Sequence, residues 1–398
     1  MGYDLKGFFN AVLPLSRDWR VDRVEAGPER VIVWLAYHGP GPIYDQSEVR
    51  YWRHLDTVGV GTFLAARIPR ITGSDGQIRQ VDVPWADEYS RYSTSFECRI
   101  LDELRANRSQ TATARLLGVS FSVVHRVMRR AVDRGMLRRN EAMTVIEYLS
   151  LDEKHYRTRG TKREMVTVLS DPLHQRVLEV TPGRTKAAAI SAITASLRPE
   201  QITQVEAVST DMCRSYHAAV EAVLPQAKIV LDKFHLSLQL NVAVDLTRRS
   251  ESRSRDELKG LRFDLLRSGL PPERRAMIER LRESSIRTAE VWRFKEDFRQ
   301  MYQCLDRQEA EHYFDAWLAE ALREPAGRLN HVAVTFRQYR DKILNYFDHR
   351  LTNAKAERFN GKIQQLRVEA KGFKSFHNFR TAVLFFFGNL DLYPQKPV

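Results

Sequence analysis

Residues 148 to 155 read Tyr148-Leu149-Ser150-Leu151-Asp152-Glu153-Lys154-His155. A mostly apolar stretch runs into Asp152, and there the polarity reverses. Such a stretch suits a buried strand that ends in a carboxylate at a sheet edge. A buried strand constrains the chain around it, because its backbone groups need partners and its faces need cover. The following sequence offers both. Val145 to Asp152 reads as a first strand, with Met165 to Leu169 and Arg176 to Val180 as second and third strands joined through Asp171-Pro172. Lys186 to Leu197 is an Ala-rich helix, Val205 to Ser209 a fourth strand, Tyr216 to Leu224 a helix stopped by Pro225, and Ile229 to Leu231 a fifth strand ending at Asp232.

Three strands, helix, strand, helix, strand predicts a mixed sheet with helices on its faces, the order of a ribonuclease H-like core. At 398 residues the chain is too long for one ordinary core, and two to four domains are expected. Residues 1–92 look β-rich, with a strand at Val31 to Leu35 and Gly/Pro turns at Tyr37 to Pro42 and Thr72 to Gly76. Residues 236–350 are almost entirely helical, with breaks at Pro271-Pro272 and at Pro325 with Gly327. There Trp292, Phe294, Phe298, Met301 and Tyr302 read as an internal packing face. The expected fold class is therefore an α/β ribonuclease H-like core, in two parts at 144–235 and 351–398, with a large all-α insertion at 236–350. A helix-turn-helix at 93–140 and a small β-rich domain precede it.

The formal net charge is +13, which favours a polyanionic partner, and nucleic acid is the commonest. The helical segment concentrates this excess. Phe96, Ile100, Leu101 and Leu104 recur at helical spacing, Ser109 caps a second helix, Gly118 ends it, and Ser120 opens a third carrying Val123, Val124, Val127 and Met128 inward. Between Arg99 and Arg139 stand ten arginines against three acids. Helix, tight turn, helix with that charge predicts DNA binding. Ser120, Ser122, His125, Arg126 and Arg129 would face the major groove, with Arg130 beside them. The bland alternative is a three-helix packing unit with a solvated basic face. The cysteines, Cys98, Cys213 and Cys304, are three and far apart. They build neither a disulfide framework nor a zinc site, and they fit a reducing cytosol. No apolar run reaches the length of a membrane span, so no membrane partner is expected.

Three acids stand out for chemistry. Asp152 ends the first strand, Asp211 follows the fourth, and Glu357 lies on a late helix whose Asn353, Ala354, Glu357, Asn360, Gly361 and Gln364 share one face. Lys355, Arg358 and Lys362 would flank that face against a DNA backbone. Phosphodiester chemistry needs an activated nucleophile and neutralised charge, which two hard cations about 3.5–4 Å apart supply, and such cations take carboxylate oxygens. The separations are 59 residues from Asp152 to Asp211 and 146 from Asp211 to Glu357, the second accommodating the helical run. Each acid has a plainer reading. Asp211 could cap the next helix. Asp232 is a rival ligand or a cap for the helix it precedes. His235 could orient a carboxylate, contact DNA or simply pack.

At Leu151-Asp152-Glu153-Lys154, Ser209-Thr210-Asp211-Met212, Leu231-Asp232-Lys233-Phe234-His235 and Asn353-Ala354-Lys355-Ala356-Glu357-Arg358-Phe359-Asn360 the chain resembles the ISL3 family of bacterial insertion-sequence transposases. The likeness extends to Trp52-Arg53-His54-Leu55-Asp56, Ala66-Arg67-Ile68-Pro69-Arg70, Val83-Pro84-Trp85-Ala86 and Gly372-Phe373. It implies an Asp-Asp-Glu catalytic domain split by a helical insertion, with Asp152, Asp211 and Glu357 as catalytic acids and Mg2+ or Mn2+ ligands, two ions being expected. It also implies binding of terminal inverted repeats and target DNA, a homodimer on DNA, and a bacterial, cytoplasmic, nucleoid-associated protein. One departure is plain. Family members similar to this one carry Cys pairs before the helix-turn-helix. Here Tyr37-His38-Gly39-Pro40-Gly41 and Ile71-Thr72-Gly73-Ser74-Asp75-Gly76 hold none. Zinc needs thiolate or imidazole ligands, so the N-terminal domain is expected to be a degenerate zinc ribbon without zinc. The alternative is a domesticated, catalytically silent transposase that only binds DNA.

Overall fold

The computed structural model describes residues 4–394 except 160–161, 268, 284–285, 326 and 352–353; the side chains of 158–159, 162–163, 354–358 and 360 also lie outside the described set. The chain divides into two units, residues 1–141 with 390–398 and residues 142–389.

The first unit opens with helix α1 (Leu5–Val12) and strands β1 (Trp19–Ala26), β2 (Arg30–Tyr37), β3 (Ile43–Gln46), β4 (Arg50–Arg53), β5 (Gly61–Ala66), β6 (Pro69–Thr72) and β7 (Ile78–Gln80). They make a four-stranded sheet, β1-β2-β5-β4, and a three-stranded one, β3-β6-β7. Trp19, Val21, Val33, Leu35, Trp52 and Trp85 are buried in one cluster. Trp85 meets Trp19 and Trp52 edge-on, with centroids 4.8 and 5.4 Å apart; such pairs add about 0.5–1.5 kcal/mol each beyond their burial. The two turns without cysteines stand side by side, since Thr72 N donates to Pro42 O at 3.1 Å. Asp75 closes the second turn by accepting from Gln77 N at 3.0 Å.

Helices α2 (Thr94–Asn107), α3 (Gln110–Leu116) and α4 (Phe121–Glu141) follow. Ser93 and Ser109 cap α2 and α3, accepting from Phe96 N and Ala112 N at 3.2 Å. Ile100, Leu101 and Leu104 of α2 and Val124, Val127 and Met128 of α4 are buried. The boundary expected at residue 92 is bridged. His54 Nδ1 lies 2.8 Å from Ser93 Oγ, and Thr94 N donates to Trp85 O at 2.7 Å. The end of the chain, expected to belong to the catalytic part, joins this unit instead. Leu392 is buried, Arg134 Nη1 donates to its carbonyl at 2.8 Å, and Tyr393 Oη donates to Asp102 at 2.6 Å. Gly135 makes room for it, because a Cβ there would come within 2.7 Å of the Leu390 Cβ.

The second unit holds β8 (Tyr148–Arg159), β9 (Lys162–Asp171), β10 (Arg176–Pro182), α5 (Lys186–Ser196), the single turn α6 (Pro199–Ile202), β11 (Ala207–Thr210), α7 (Arg214–Val223) and β12 (Lys228–Leu231). The strands form one sheet, β10-β9-β8-β11-β12. β10, β9 and β8 are antiparallel; β8, β11 and β12 are parallel. Leu149, Leu151, Leu169 and Leu178 share a cluster with Ala189, Ile193 and Val220 from α5 and α7. Side chains alternate along a strand, and Glu179, beside Leu178, meets Arg380 instead, with both bonds at 2.6 Å.

Asp152 does not end its strand. β8 continues to Arg159, paired with β9 as far as Lys162, while its other neighbour β11 stops at Thr210. The polar second half stays extended because the hairpin partner satisfies its backbone. The register shifts between His155 and Arg157, as at a bulge.

Helices α8 (Lys233–Glu251), α9 (Arg262–Leu266), α10 (Pro272–Glu283), α11 (Arg287–Met301), α12 (Arg307–Arg323), α13 (Gly327–Gln338) and α14 (Arg340–His349) come next. Trp292, Phe294, Phe298 and Met301 are buried among them with Phe314, Trp317 and Phe336. Asn345 of α14 donates to Ile229 O at 2.9 Å, so the edge strand β12 is covered. Two helices close the unit, α15 (Ala354–Glu369) and α16 (Phe376–Phe387). Phe359, Ile363 and Leu366 form the buried stripe of α15, while Gly361, Lys362 and Gln364 are exposed.

Candidate active site

Parallel pairing sets the site. Ser150 of β8 lies opposite Ser209 of β11, and Thr210 opposite Leu231 of β12. Continuing each strand by one or two residues brings Asp152, Asp211 and Asp232 to the same end of three adjacent strands. Asp232 N donates to Thr210 O at 3.0 Å, so the third acid is tied to the residue before the second.

The three carboxylates have different surroundings. Asp152 is 8% exposed, and its Oδ1 accepts from Glu153 N at 2.6 Å. Asp211 Oδ1 accepts from Cys213 N at 3.0 Å. This is a local turn rather than the helix cap considered from sequence, for Cys213 occupies the cap position of α7. Burial raises the Asp211 carboxyl above its ordinary range. The Cys213 N–H and His235 oppose that, while the charges of Glu153 and Asp152 reinforce it. Asp232 is 4% exposed and caps α8. Its carboxylate accepts from Phe234 N at 3.2 Å and contacts His235 Nδ1 at 2.9 Å. Those bonds place it behind His235. That partner raises the His235 pKa, burial opposes the rise, and the charges of Asp232, Asp152 and Asp211 add to it.

Two further residues stand at the site, one of them, Glu153, a rival to Asp152 that strand alternation sets on another face. Glu153, which alternation turns away from Asp152, is nevertheless felt at Asp211 and accepts from Arg184 Nη1 at 3.3 Å. His217 Nε2 donates to Asp211 O at 2.9 Å, and its Nδ1 faces Lys342 Nζ at 3.4 Å. Burial and Lys342 lower its pKa, so the neutral imidazole holds the Asp211 loop. A single histidine six residues downstream on a helix gives no pattern to read.

Glu357 lies on α15, but its side chain is outside the described residues, as are those of Lys355, Arg358 and Asn360; Asn353 lies outside altogether. Among the described residues no cluster of three or more His, Cys, Asp or Glu side chains is placed to hold a metal. Asp152 and Asp211 supply a carboxylate pair of the donor type hard cations take. Their mutual repulsion, with that of Glu153, is what a cation would relieve.

In the first unit Ser120, Ser122, Arg126 and Arg129 are exposed. His125 stacks on Phe121 at 6.1 Å and reaches Gln110 at 3.2 Å. Arg130 differs from its neighbours. Its guanidinium pairs with Glu97, which is 2% exposed. Its guanidinium thus ties α4 to α2, unlike the exposed side chains of Arg126 and Arg129.

Residues 149–383 match a family described as Transposase, and residues 81–132 match the helix-turn-helix domain of transposase family ISL3. The transposase for insertion sequence element IS1001 of Bordetella parapertussis is 25% identical over 303 residues, covering 73% of this chain and 72% of that one. The transposase for insertion sequence element IS1557 of Mycobacterium tuberculosis is 24% identical over 363 residues, covering 83% and 80%. Among solved structures, the Mos1 strand transfer complex is 15% identical with a TM-score of 0.16, covering 36% of this chain and 58% of that one; so low a score carries no weight. Among the described residues no helix is long and apolar enough to cross a membrane. The chain belongs to the ISL3 family of transposases, with a helix-turn-helix DNA-binding domain ahead of its catalytic domain.

Proposed function

We propose that this transposase binds the terminal inverted repeats of its element and, with Asp152, Asp211 and Glu357 as catalytic acids, cleaves and transfers DNA strands. The observation that carries this is the placement of Asp152 and Asp211 at the same end of adjoining parallel strands, with the Asp152 charge felt at Asp211. Support for the third acid is indirect. Arg367, ten residues after Glu357 on α15, donates to His155 O at 3.1 Å, three residues after Asp152. That helix therefore runs beside the strand bearing the first acid.

The three carboxylates would hold two divalent ions, magnesium or manganese, which supply charge neutralisation and an activated water when bound. The chain's residues do the rest. Asp152 and Asp211 provide oxygens, the Asp211 loop is fixed by His217, and His235 is oriented by Asp232 toward the acids. Ser120, Ser122, His125, Arg126 and Arg129 would contact the repeat, and Lys355, Arg358 and Lys362 the backbone at the catalytic site. The sheet is read as a ribonuclease H-like core, with α8–α14 an insertion between its fifth strand and the helix of the third acid. Residues 1–92 are read as a degenerate zinc ribbon. Joining two element ends asks for two active sites, hence a homodimer on DNA associated with the nucleoid.

The test is cleavage of element-end DNA with magnesium or manganese. Wild type should release a 3′-hydroxyl and join it to target plasmid; Asp152→Ala and Asp211→Ala should bind and not cut. Cleavage unchanged in those variants refutes the site. A wild type that binds but cuts with neither ion is a silent, domesticated binder, the reading the cysteine-free turns favour.

A further inference from the structure

Beyond Asp152, β8 leads away from the acids into a cleft of about 680 Å³ lined by His155, Arg157, Arg367, Lys371, Phe373 and Lys374. Two strands of covalent chain meet there, the second half of β8 and the connection from α15 to α16. Their bases are fixed. Arg367 Nη1 donates to His155 O at 3.1 Å. Arg157 Nη1 donates to Lys374 O at 3.1 Å while its Nε donates to Glu164 at 3.0 Å. The turn between them has positive φ at Lys371 (51°) and Gly372 (91°), which bends the chain sharply and leaves Lys371, Gly372 and Lys374 exposed at the rim. Of the nearby acids, Glu153 pairs with Arg184 and Glu164 with Arg157, while Glu369 accepts from the neutral Gln365 and keeps its charge. Arginines therefore form the floor of the cleft, and two lysines stand exposed at its rim.

We infer that this cleft is a phosphate-binding groove for the DNA strand that enters the acidic site, holding it a fixed number of nucleotides from the bond that is cut. The inference rests on the reading of Asp152 as a catalytic acid. The spacing follows from the strand itself. His155 and Arg157 are three and five residues past Asp152, and a strand rises about 3.3 Å per residue. The groove thus begins roughly 10–17 Å from the acid, about three to five phosphates along one strand of a duplex at ~3.4 Å of axis each. Acid site and basic groove share one strand, so their separation is set by covalent geometry and not by a hinge. An acidic peptide would meet the same cations, but it carries no such repeat and gains nothing from the adjoining carboxylates.

The test uses the full chain and a Lys371→Gln/Lys374→Gln variant on element-end duplex. Both side chains are exposed, so the fold is not at stake, and Lys371→Arg/Lys374→Arg serves as the charge-retaining check. Losing two phosphate contacts should lower the slope of log affinity against log salt by about 2 and weaken binding roughly ten- to thirtyfold at 0.15 M salt. Ethylation of the phosphates about three to five positions from the cut should impair binding by wild type and the Arg variant but not by the Gln variant. An unchanged slope overturns the inference, as does an interference pattern the Gln variant retains. So does an equal loss in Lys259→Gln/Arg267→Gln, which removes the same charge elsewhere. Cleavage by Asp152→Ala would instead sink the catalytic reading and leave these binding measurements to stand alone.

Discussion

Arg130→Ala separates a structural arginine from a DNA-reading one. In the structure its guanidinium pairs with Glu97, a carboxylate 2% exposed that also accepts from Ser90 Oγ at 2.8 Å. Burial raises the Glu97 pKa, and Arg130 is the largest influence holding it down. Removing one partner of a fully buried pair costs about 3–5 kcal/mol. The Arg130 side chain is 26% exposed, which lets water compensate in part, so about 2–4 kcal/mol is expected at neutral pH. The sign with pH is fixed. A carboxyl whose folded pKa is raised adds stability at low pH that is lost as pH rises through that pKa. Without Arg130 the rise is larger, so the variant's deficit should grow from pH 5 to pH 8. Urea unfolding followed by tryptophan fluorescence reports on this unit through Trp19, Trp34, Trp52 and Trp85 once Trp292 and Trp317 of the second unit are replaced by Phe in both proteins. With m near 2 kcal/mol/M, the midpoint should fall by about 1–2 M. Glu97→Met/Arg130→Met should recover most of the loss, since an apolar replacement leaves no charge buried. An unchanged midpoint together with weakened repeat binding would refute the packing role and return Arg130 to the DNA surface.

Three other perturbations bear on the same structure. Magnesium should raise the thermal midpoint of wild type but not of Asp211→Asn, with about 2.7 kcal/mol gained at a hundredfold excess over Kd; equal shifts in both would mean the ion binds elsewhere. Burial, with the Arg53 charge adding, lowers the His54 pKa to about 4 from an ordinary 6.5. The folded state therefore binds fewer protons between those values, and stability should fall by at most about 3 kcal/mol as pH drops from 6.5 to 4; pH-dependent urea midpoints that match those of His54→Gln would exclude it. Gly135→Val places a branched side chain where Leu390 already approaches. It should cost about 1–3 kcal/mol and expose residues 390–394 to proteolysis, and an unclipped, wild-type-stable variant would show that the tail's docking is incidental.

Much of the catalytic unit was legible because its signals are local. Apolar runs of strand length alternate with helical spacing from 145 to 232, and the strands found there differ from the expected ones by a few residues at their ends. The hairpin extension of β8 was not legible. Glu153 to Arg159 is polar, and only its pairing with β9 keeps it extended. Sequence leaves Asp232 open between ligand and cap, because a residue's side-chain partner three positions on depends on rotamers that spacing does not encode. His217 and Arg130 show the same limit from opposite sides. One is a lone histidine that steadies an acid loop, the other an arginine inside a basic run that faces inward to Glu97. In both, the deciding partner lies on another element.

The extension of β8 changes what the site can be. Had the strand stopped at Asp152, the acids would sit on a flat sheet edge open to any strand of DNA. Instead β11 and β12 stop while β8 and β9 continue, so the acids lie at the foot of a step. The wall of that step carries Arg157 from β8 and Arg367, Lys371 and Lys374 from the helix end packed against it, with His155 beside them, and we infer that the DNA strand runs along it. Carboxylates alone would repel DNA. Placing them at a step whose wall attracts phosphates lets the backbone be held by one surface and presented to the other, with His235 held by Asp232 between the acids' charges. A variant that keeps the acids but removes the step, by deleting residues 157–162, should retain the parallel core and lose productive cleavage. Cleavage at the wild-type position by that deletion would mean the step does not position DNA.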